Sequence, residues 1–229
     1  MKTRFILLSL ITLFFIPKEG KTQGFLGGVH LKSGIPIGDF NEETGIFVLP
    51  EVGFGILHGI QGTPIFVGAE LGYGRYGTAV NRRSDIFPGV NQRFRIRRNN
   101  NYVNLMGVVR LMAPEVMRFR PFVEGQIGGI HTFTRSHIRE NRLADPIASG
   151  TERYDWAMMV QVGAGLLVPL NSTRDTFLEV KLNYVDSGQM DYLTKNSAYY
   201  IEPGELVLSP KRSGFNMLQP SVAVRFNFD

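Results

Sequence analysis

Near the middle of the chain, three side-chain types that could together perform acyl transfer lie close in sequence. His131 precedes Ser136 and His137 by a few residues, and Glu140 comes three residues after His137. A serine nucleophile, a histidine base and an acid are the parts of a catalytic triad, and geometry rather than composition is the test of one. The spacing here matches no enzyme motif, so the sequence favours ordinary surface histidines. We predict no catalytic residues.

The histidines also give little support for a metal site. His30, His58, His131 and His137 fall on different predicted strands or turns, and no two of them share metal-ligand spacing with an acidic neighbour. The predicted connections also lack the grouped carboxylates that calcium requires. We therefore predict neither a metal nor a cofactor.

The most basic part of the chain is a predicted long connection, residues 78–101. It contains six arginines opposed by Asp85 alone: Arg82, Arg83, Arg93, Arg95, Arg97 and Arg98. Exposed guanidinium groups bind phosphates bidentately, which makes a phosphate-bearing partner one interpretation. A protein partner and a solvated charged rim are the alternatives. The sequence leaves all three open.

Apolar and polar residues alternate with period two in eight segments, which is typical of strands with one apolar and one polar face. These segments are residues 25–34, 46–57, 65–77, 102–113, 118–135, 154–169, 176–186 and 215–228. No segment keeps a helical period over three turns. The fold class predicted is all-β.

The polar faces of these strands carry balanced charges. Four acids and four bases recur along them: Lys32, Glu51, Glu70, Arg110, Glu124, Glu179, Lys181 and Arg225. Inside a narrow barrel of eight strands such charges must be paired to be tolerated. The balance therefore predicts a structural charge network that fills the lumen and leaves no pore.

The connections between the segments alternate in length. Those near 35–45, 78–101, 136–153 and 187–214 are mostly long, whereas those at 58–64, 114–117 and 170–175 are tight. An antiparallel up-and-down barrel inserted through an outer membrane has this arrangement. Aromatic residues near the strand ends would then lie at the membrane interfaces: Tyr73, Tyr76, Tyr102, Phe119, Phe133, Tyr154, Trp156, Phe177, Tyr184, Phe226 and Phe228.

The N-terminus predicts export. Lys2 and Arg4 precede the uncharged run Phe5–Ile16, which is too short to span a membrane and has the form of a signal peptide. Cleavage after residue 22 removes four bases and one acid and lowers the formal net charge from +5 to +2. Basicity therefore does not indicate nucleic-acid binding.

The chain has no cysteine, which excludes disulfides and a lipoprotein anchor. Residues 23–229 are predicted to form one domain.

Several motifs resemble the small outer-membrane β-barrel proteins, the porin-family or OmpA-like barrels of the Bacteroidetes type. The matching stretches are Ile35–Phe40, Phe66–Gly77, Arg120–Gly129 and Gly188–Thr194. The resemblance covers essentially residues 24–229 and implies a location in the Gram-negative cell envelope. It leaves the activity open, because fold does not determine function.

The function favoured by the sequence is therefore a non-enzymatic outer-membrane barrel with a structural or accessory-subunit role in an envelope complex. The alternatives are a surface receptor or adhesin that uses the connections 78–101 and 187–214, and a lipid A-modifying enzyme. The expected partners are outer-membrane lipid, including lipopolysaccharide, and other outer-membrane proteins. For the arginines of 78–101, this location makes lipopolysaccharide phosphates the phosphate-bearing partner.

Overall fold

The computed structural model of the protein describes residues 24–84, 93–113, 119–195, 197–201 and 205–228. One short helix, α1, spans Gly38–Thr44. The strands are β1 (Phe25–Pro36), β2 (Leu49–Gly59), β3 (Ile65–Arg83), β4 (Phe94–Met112), β5 (Arg120–Arg139), β6 (Ala148–Pro169), β7 (Thr176–Ser187), β8 (Met190–Tyr192), β9 (Ala198–Ile201), β10 (Glu205–Leu208), β11 (Lys211–Ser213) and β12 (Met217–Phe228). The predicted signal peptide lies outside the described residues.

Eight of these strands close into one antiparallel barrel in the order β1-β12-β7-β6-β5-β4-β3-β2. The first strand, β1, closes the barrel by pairing with the last strand, β12, on one side and with β2 on the other. Phe25, for example, pairs with Phe228 of β12 and with His58 of β2. Closure pairs both edges that an open sheet would leave exposed. The predicted all-β, eight-stranded up-and-down barrel is confirmed.

Four neighbouring strands extend further toward one end of the barrel than predicted. β3 and β4 continue to Arg83 and from Phe94, and β5 and β6 continue to Arg139 and from Ala148. Much of the predicted connections 78–101 and 136–153 is therefore sheet that rises above the other four strands. We call the end where it rises the upper end. The prediction was wrong because frequent arginines hide an alternation that continues through Arg95, Ile96 and Arg97.

The third long connection, between β7 and β12, also contains regular structure. β8 pairs with β11, and β9 pairs with β10, as two small antiparallel sheets. Asn100 Nδ2 of β4 donates to the Leu193 carbonyl at 2.6 Å, and Arg153 Nη2 of β6 contacts Asp191 Oδ2 at 2.5 Å. These contacts fasten the connection against the inner side of the tall strands.

The interior of the barrel is layered. An apolar cluster occupies the upper end: Phe40, Leu49, Tyr76, Tyr102, Met106, Ile130, Ala157, Met159, Val185, Met190, Tyr192, Phe215 and Met217. A second cluster occupies the lower end: Leu26, Leu57, Val108, Met112, Phe122, Leu167 and Phe177. Buried charged residues lie between the two clusters.

The outside of the barrel is apolar. Exposed aliphatic and aromatic side chains recur at every second position, including Leu31, Phe54, Leu71, Leu105, Val109, Ile127, Val160, Val162, Leu182 and Val222. We call this surface the apolar belt. Along the described strands, no charged side chain interrupts it below Arg75 and Asp186, which lie toward the upper end.

Most of the predicted interfacial aromatics do face outward, among them Tyr73, Tyr154 and Trp156. The prediction was wrong for Tyr76, Tyr102 and Phe177, which are buried inside the barrel. Tyr102 and Phe177 each lie an even number of positions from a lumen charge on the same strand. Because side chains alternate between the two faces of a strand, their side chains must point inward. In the described part of the chain, no helix has the length and apolar character needed to cross a membrane.

Candidate functional sites: the filled lumen and the arginine face

All eight charges predicted to fill the lumen are brought together in its middle layer. Each side chain is fully enclosed. The four acids and four bases come from β1, β2, β3, β4, β5, β7 and β12, so the cluster ties nearly every barrel strand to the others. We call this set the lumen network.

The lumen network alternates in charge from one residue to the next. Arg110 reaches Glu124 and Glu179, each at 2.7 Å, and lies 3.9 Å above the Phe122 ring. Lys181 reaches Glu124 at 2.7 Å and Glu70 at 3.1 Å. Each of these two basic groups therefore bridges two carboxylates, and buried charges need such partners to be tolerated.

The same alternation continues on the other side of the barrel. Arg225 contacts Glu70 at 2.7 Å and Glu179 at 3.1 Å. Lys32 contacts Glu70 at 3.1 Å and Glu51 at 3.3 Å. The chain of contacts thus links all eight charges without a gap.

Neutral amides complete the network, and sequence reasoning did not single them out as part of it. Asn104 Nδ2 and Gln219 Nε2 donate to Glu51 Oε2 at 2.9 and 3.1 Å. Gln126 Nε2 donates to Glu124 Oε1 at 2.8 Å. Their inward parity on β4, β5 and β12 was the available signal, because each shares a face with a lumen charge.

The upper cluster closes the lumen above these charges. α1, which the sequence did not predict, inserts Phe40 into the mouth of the barrel, where its ring centroid lies 4.0 Å from that of Phe215. The Tyr192 ring of β8 packs edge-on against Phe40 at 5.6 Å. Gly38, the first residue of α1, and Gly45, which follows its last residue, have φ of 57° and 58°, a left-handed conformation that glycine adopts without strain. A charged layer between two apolar clusters can brace a barrel.

The six arginines predicted as lipopolysaccharide or partner contacts do not share one surface. Arg82, Arg95 and Arg97 face outward, and Arg93 is exposed just before β4. Arg83 is the next residue after Arg82 on β3, so its side chain points to the opposite face of the strand. Arg98 is only 2% exposed and its Nε lies 2.8 Å from Glu152 Oε2. The expectation that these arginines are exposed loop charges was wrong for Arg98, because β4 continues through this position and turns its side chain inward. Asp85 lies outside the described residues.

The outward side chains of β3, β4 and β5 instead form regular rows above the apolar belt. Arg82, Arg95 and Arg139 are direct cross-strand neighbours in the highest row. One row down, Arg97 lies between Val80 and His137. We call the outward arginines of these strands the arginine face: Arg75, Arg82, Arg95, Arg97, Arg135 and Arg139.

Two buried asparagines hold part of the arginine face in place. Asn101 Oδ1 accepts hydrogen bonds from Arg75 Nε and from the Tyr73 hydroxyl, both at 3.0 Å. Asn99 Oδ1 accepts from Arg97 Nε and from the Thr78 hydroxyl, both at 3.2 Å. Each asparagine therefore fixes the inner edge of a guanidinium and leaves its outer nitrogens toward solvent.

The possible serine–histidine site does not assemble. Ser136 is buried on the inner face of β5, where its hydroxyl donates to Glu152. His137 is the adjacent residue and faces outward, and His131 also faces outward, stacked on Phe133 at 5.7 Å. Side chains on opposite faces of a strand cannot form a hydrogen-bonded pair. The positions of these side chains therefore give no geometric support for a catalytic triad.

The histidines are also apart from one another. His30 is buried in the lumen with Nε2 3.8 Å from Glu51 Oε1, whereas His58 lies at the lower end against Phe25. Among the described residues, no group of three or more histidines and carboxylates could hold a metal ion.

A polar cavity of about 330 Å³ lies at the upper end between α1 and the connection that leads to β12. Its charged lining includes Glu43 and Lys211, which pair with each other at 2.7 Å, and Lys195. The cavity holds no arrangement of reactive groups, and we assign it no chemistry.

The protein is similar to known proteins in its fold alone. No family model and no curated protein matches the chain. Among solved structures, it is similar to neisserial surface protein A, with 8% identity over 91% of this chain and 100% of that one and a TM-score of 0.47. It is also similar to a major outer membrane protein of Thermus thermophilus (12% identity, 89% and 99% covered, TM-score 0.47). The N-terminal β-barrel domain of Pseudomonas aeruginosa OprF matches at 15% identity (91% and 100% covered, TM-score 0.40).

Proposed function

We propose that this protein is a non-enzymatic, non-conducting barrel of the bacterial outer membrane with a structural or accessory-subunit role. The observation that carries the proposal is the inverted distribution of side chains, with charges inside and an uninterrupted apolar belt outside. Soluble proteins rarely expose apolar patches larger than a few hundred Å², and an apolar band around a closed barrel is the signature of a transmembrane barrel.

The lumen supports the non-conducting part of the proposal. A water-filled channel needs a wider barrel, whereas eight strands enclose only enough space for side chains. Here that space contains eight linked charges between two apolar clusters. Opening a path would require breaking several buried ion pairs at once, which makes a resting pore unfavourable.

Two exposed apolar residues at the upper end are candidate contacts for a protein partner in an accessory-subunit role. Phe47, between α1 and β2, is 89% exposed, and Leu143, between β5 and β6, is 94% exposed. They lie on different connections at the same end of the barrel, beyond the apolar belt. A protein surface that covers them would bury area that nothing in the described chain covers.

A reconstitution experiment tests the core of the proposal. The chain from residue 23, refolded into phosphatidylcholine vesicles, is expected to give a strand-type circular dichroism spectrum and to migrate differently on gels before and after boiling. In planar bilayers it is expected to give no stable unitary currents. Failure to insert, or a predominantly helical spectrum, would end the membrane-barrel proposal, and reproducible current steps would end the filled-lumen part.

Co-purification from the native envelope in mild detergent tests the role. A stoichiometric protein that is lost in a Phe47→Ser, Leu143→Ser double variant supports an accessory subunit. A monomer in both cases leaves a structural role, and a monomer together with altered lipid A in cells lacking the protein would favour the enzyme alternative instead.

A further inference from the structure

We propose that the arginine face is a binding site for the phosphorylated headgroup of an outer-leaflet glycolipid, the lipid A part of lipopolysaccharide. The inference rests on the proposed membrane location and adds to it a ligand class, a surface and a set of residues.

Like charges lie unfavourably close to one another in the highest row of the arginine face. Arg82, Arg95 and Arg139 are directly opposite one another on three neighbouring strands. Like charges at such cross-strand positions destabilise a sheet. Among the described residues, no carboxylate lies within salt-bridge distance of any of the six guanidinium groups on this face. An external anion would relieve the repulsion that the sheet itself leaves uncompensated.

Two of the arginines on this face are held in place by the protein itself. Asn99 and Asn101 are buried beneath the face, and each accepts a hydrogen bond from an arginine Nε. The guanidinium planes of Arg75 and Arg97 are thereby held while their terminal nitrogens stay available. A planar fork fixed in this way matches the geometry of a phosphate, which guanidinium binds through two parallel hydrogen bonds.

The position of the arginine face above the apolar belt selects a lipid over a soluble anion. The row directly below Arg75 contains Tyr73, Val103, His131 and Trp156, which belong to the upper edge of the apolar belt. Successive rows on one face of a strand are about 7 Å apart along it. Arg75 therefore lies one row above the acyl-chain level, where a lipid held by the belt carries its phosphates, and Arg135, Arg97 and Arg95 follow one, two and three rows higher.

The binding test uses the full mature chain in detergent micelles with diphosphorylated lipid A as the probe. A triple variant, Arg95→Gln, Arg97→Gln and Arg135→Gln, removes three charges from the arginine face. The matched control, Arg142→Gln, Lys195→Gln and Arg212→Gln, removes three exposed charges at the same end of the molecule. Retained lipid is measured by native mass spectrometry across a salt series.

The face variant is expected to retain at least about tenfold less lipid than the unmodified protein, because it loses several charge-assisted hydrogen bonds. The control is expected to stay within about twofold, since exposed charges away from the ligand act only through screened electrostatics. Dephosphorylated lipid A is expected to bind the unmodified protein as weakly as lipid A binds the face variant.

Three results would overturn the inference. The first is equal loss in both variants, which would reduce the effect to net charge. The second is equal binding of lipid A with and without phosphate. The third is complete displacement of lipid A by soluble inorganic polyphosphate, which would make the face a site for free polyanions. Insertion into phosphatidylcholine vesicles, measured in parallel, separates these results from a failure of the membrane proposal itself, because it does not depend on the arginines.

Discussion

Arg110 offers the sharpest test of whether the lumen network stabilises the barrel. Its side chain donates to Glu124 through Nε at 2.9 Å and through Nη2 at 2.7 Å, and to Glu179 through Nη1 at 2.7 Å. Replacing it with methionine keeps most of the side-chain volume and removes the charge. The lumen would then hold four carboxylates against three bases, all withdrawn from water.

The expected cost is about 3–5 kcal/mol, because removing one partner of a buried ion pair leaves an uncompensated buried charge. Such a change lowers the folding equilibrium constant by roughly two to four orders of magnitude, since each tenfold step corresponds to about 1.4 kcal/mol. The matched control is Lys211→Met, whose Nζ lies at a similar distance of 2.7 Å from Glu43. That pair is well exposed, so its loss should cost no more than about 1 kcal/mol.

Urea unfolding of the protein in vesicles measures both variants. Trp156 is the single tryptophan of the chain and is 68% exposed on the outer surface. In the proposed membrane location it contacts lipid, so its emission is expected to change when the barrel unfolds. A double variant of Arg110→Met with Glu124→Gln restores the charge balance and should cost less than the sum of its single changes, by about 0.5–3 kcal/mol. If Arg110→Met destabilises the barrel no more than Lys211→Met does, the lumen network is not what holds the strands together.

Two further predictions concern backbone spacing and the lower turns. Gly68→Ala should destabilise the barrel by about 1–3 kcal/mol, because the added Cβ would lie 1.9 Å from the Ile56 carbonyl oxygen; Gly125→Ala, where the Cβ meets nothing within 4 Å, should be neutral in the same urea assay. Hydrogen bonds from Asn171 and Thr173 hold the pKa of Asp175 below its ordinary value. Their stabilising effect is therefore present above the unfolded-state pKa and is lost as pH falls through the folded-state value. In a carboxyl NMR titration, Asn171→Ala should raise the pKa of Asp175, and an unchanged titration would contradict this assignment.

Local pattern was sufficient for the barrel because each of its strands is amphipathic with period two. Side-chain direction in a strand depends only on parity, so Glu124 and Val123 must face opposite sides whatever surrounds them. Once the charged sides were taken as the interior, the same parity placed Glu179 and Lys181 together in the lumen. The positions of Asn104, Gln126 and Gln219 followed from the same rule, although the sequence did not single them out as network members.

The pairing partners were beyond the sequence. Arg110 bridges Glu124 and Glu179, which are 14 and 69 residues away along the chain. Which acid meets which base depends on strand register and on how far each strand is staggered around the barrel. Those quantities are set by the closure of all eight strands together and have no local signature.

For the arginine face, too, the sequence determined one part and the tertiary structure another. Composition identified a strongly basic segment and made phosphate one candidate for its partner, since exposed guanidinium groups bind phosphate bidentately. Only the tertiary structure decided which arginines share a surface: it directs Arg98 inward to Glu152 and brings Arg139 beside Arg95 from a different strand. The physical reason is that parity is a property of one strand, whereas a binding surface is made by neighbouring strands in register.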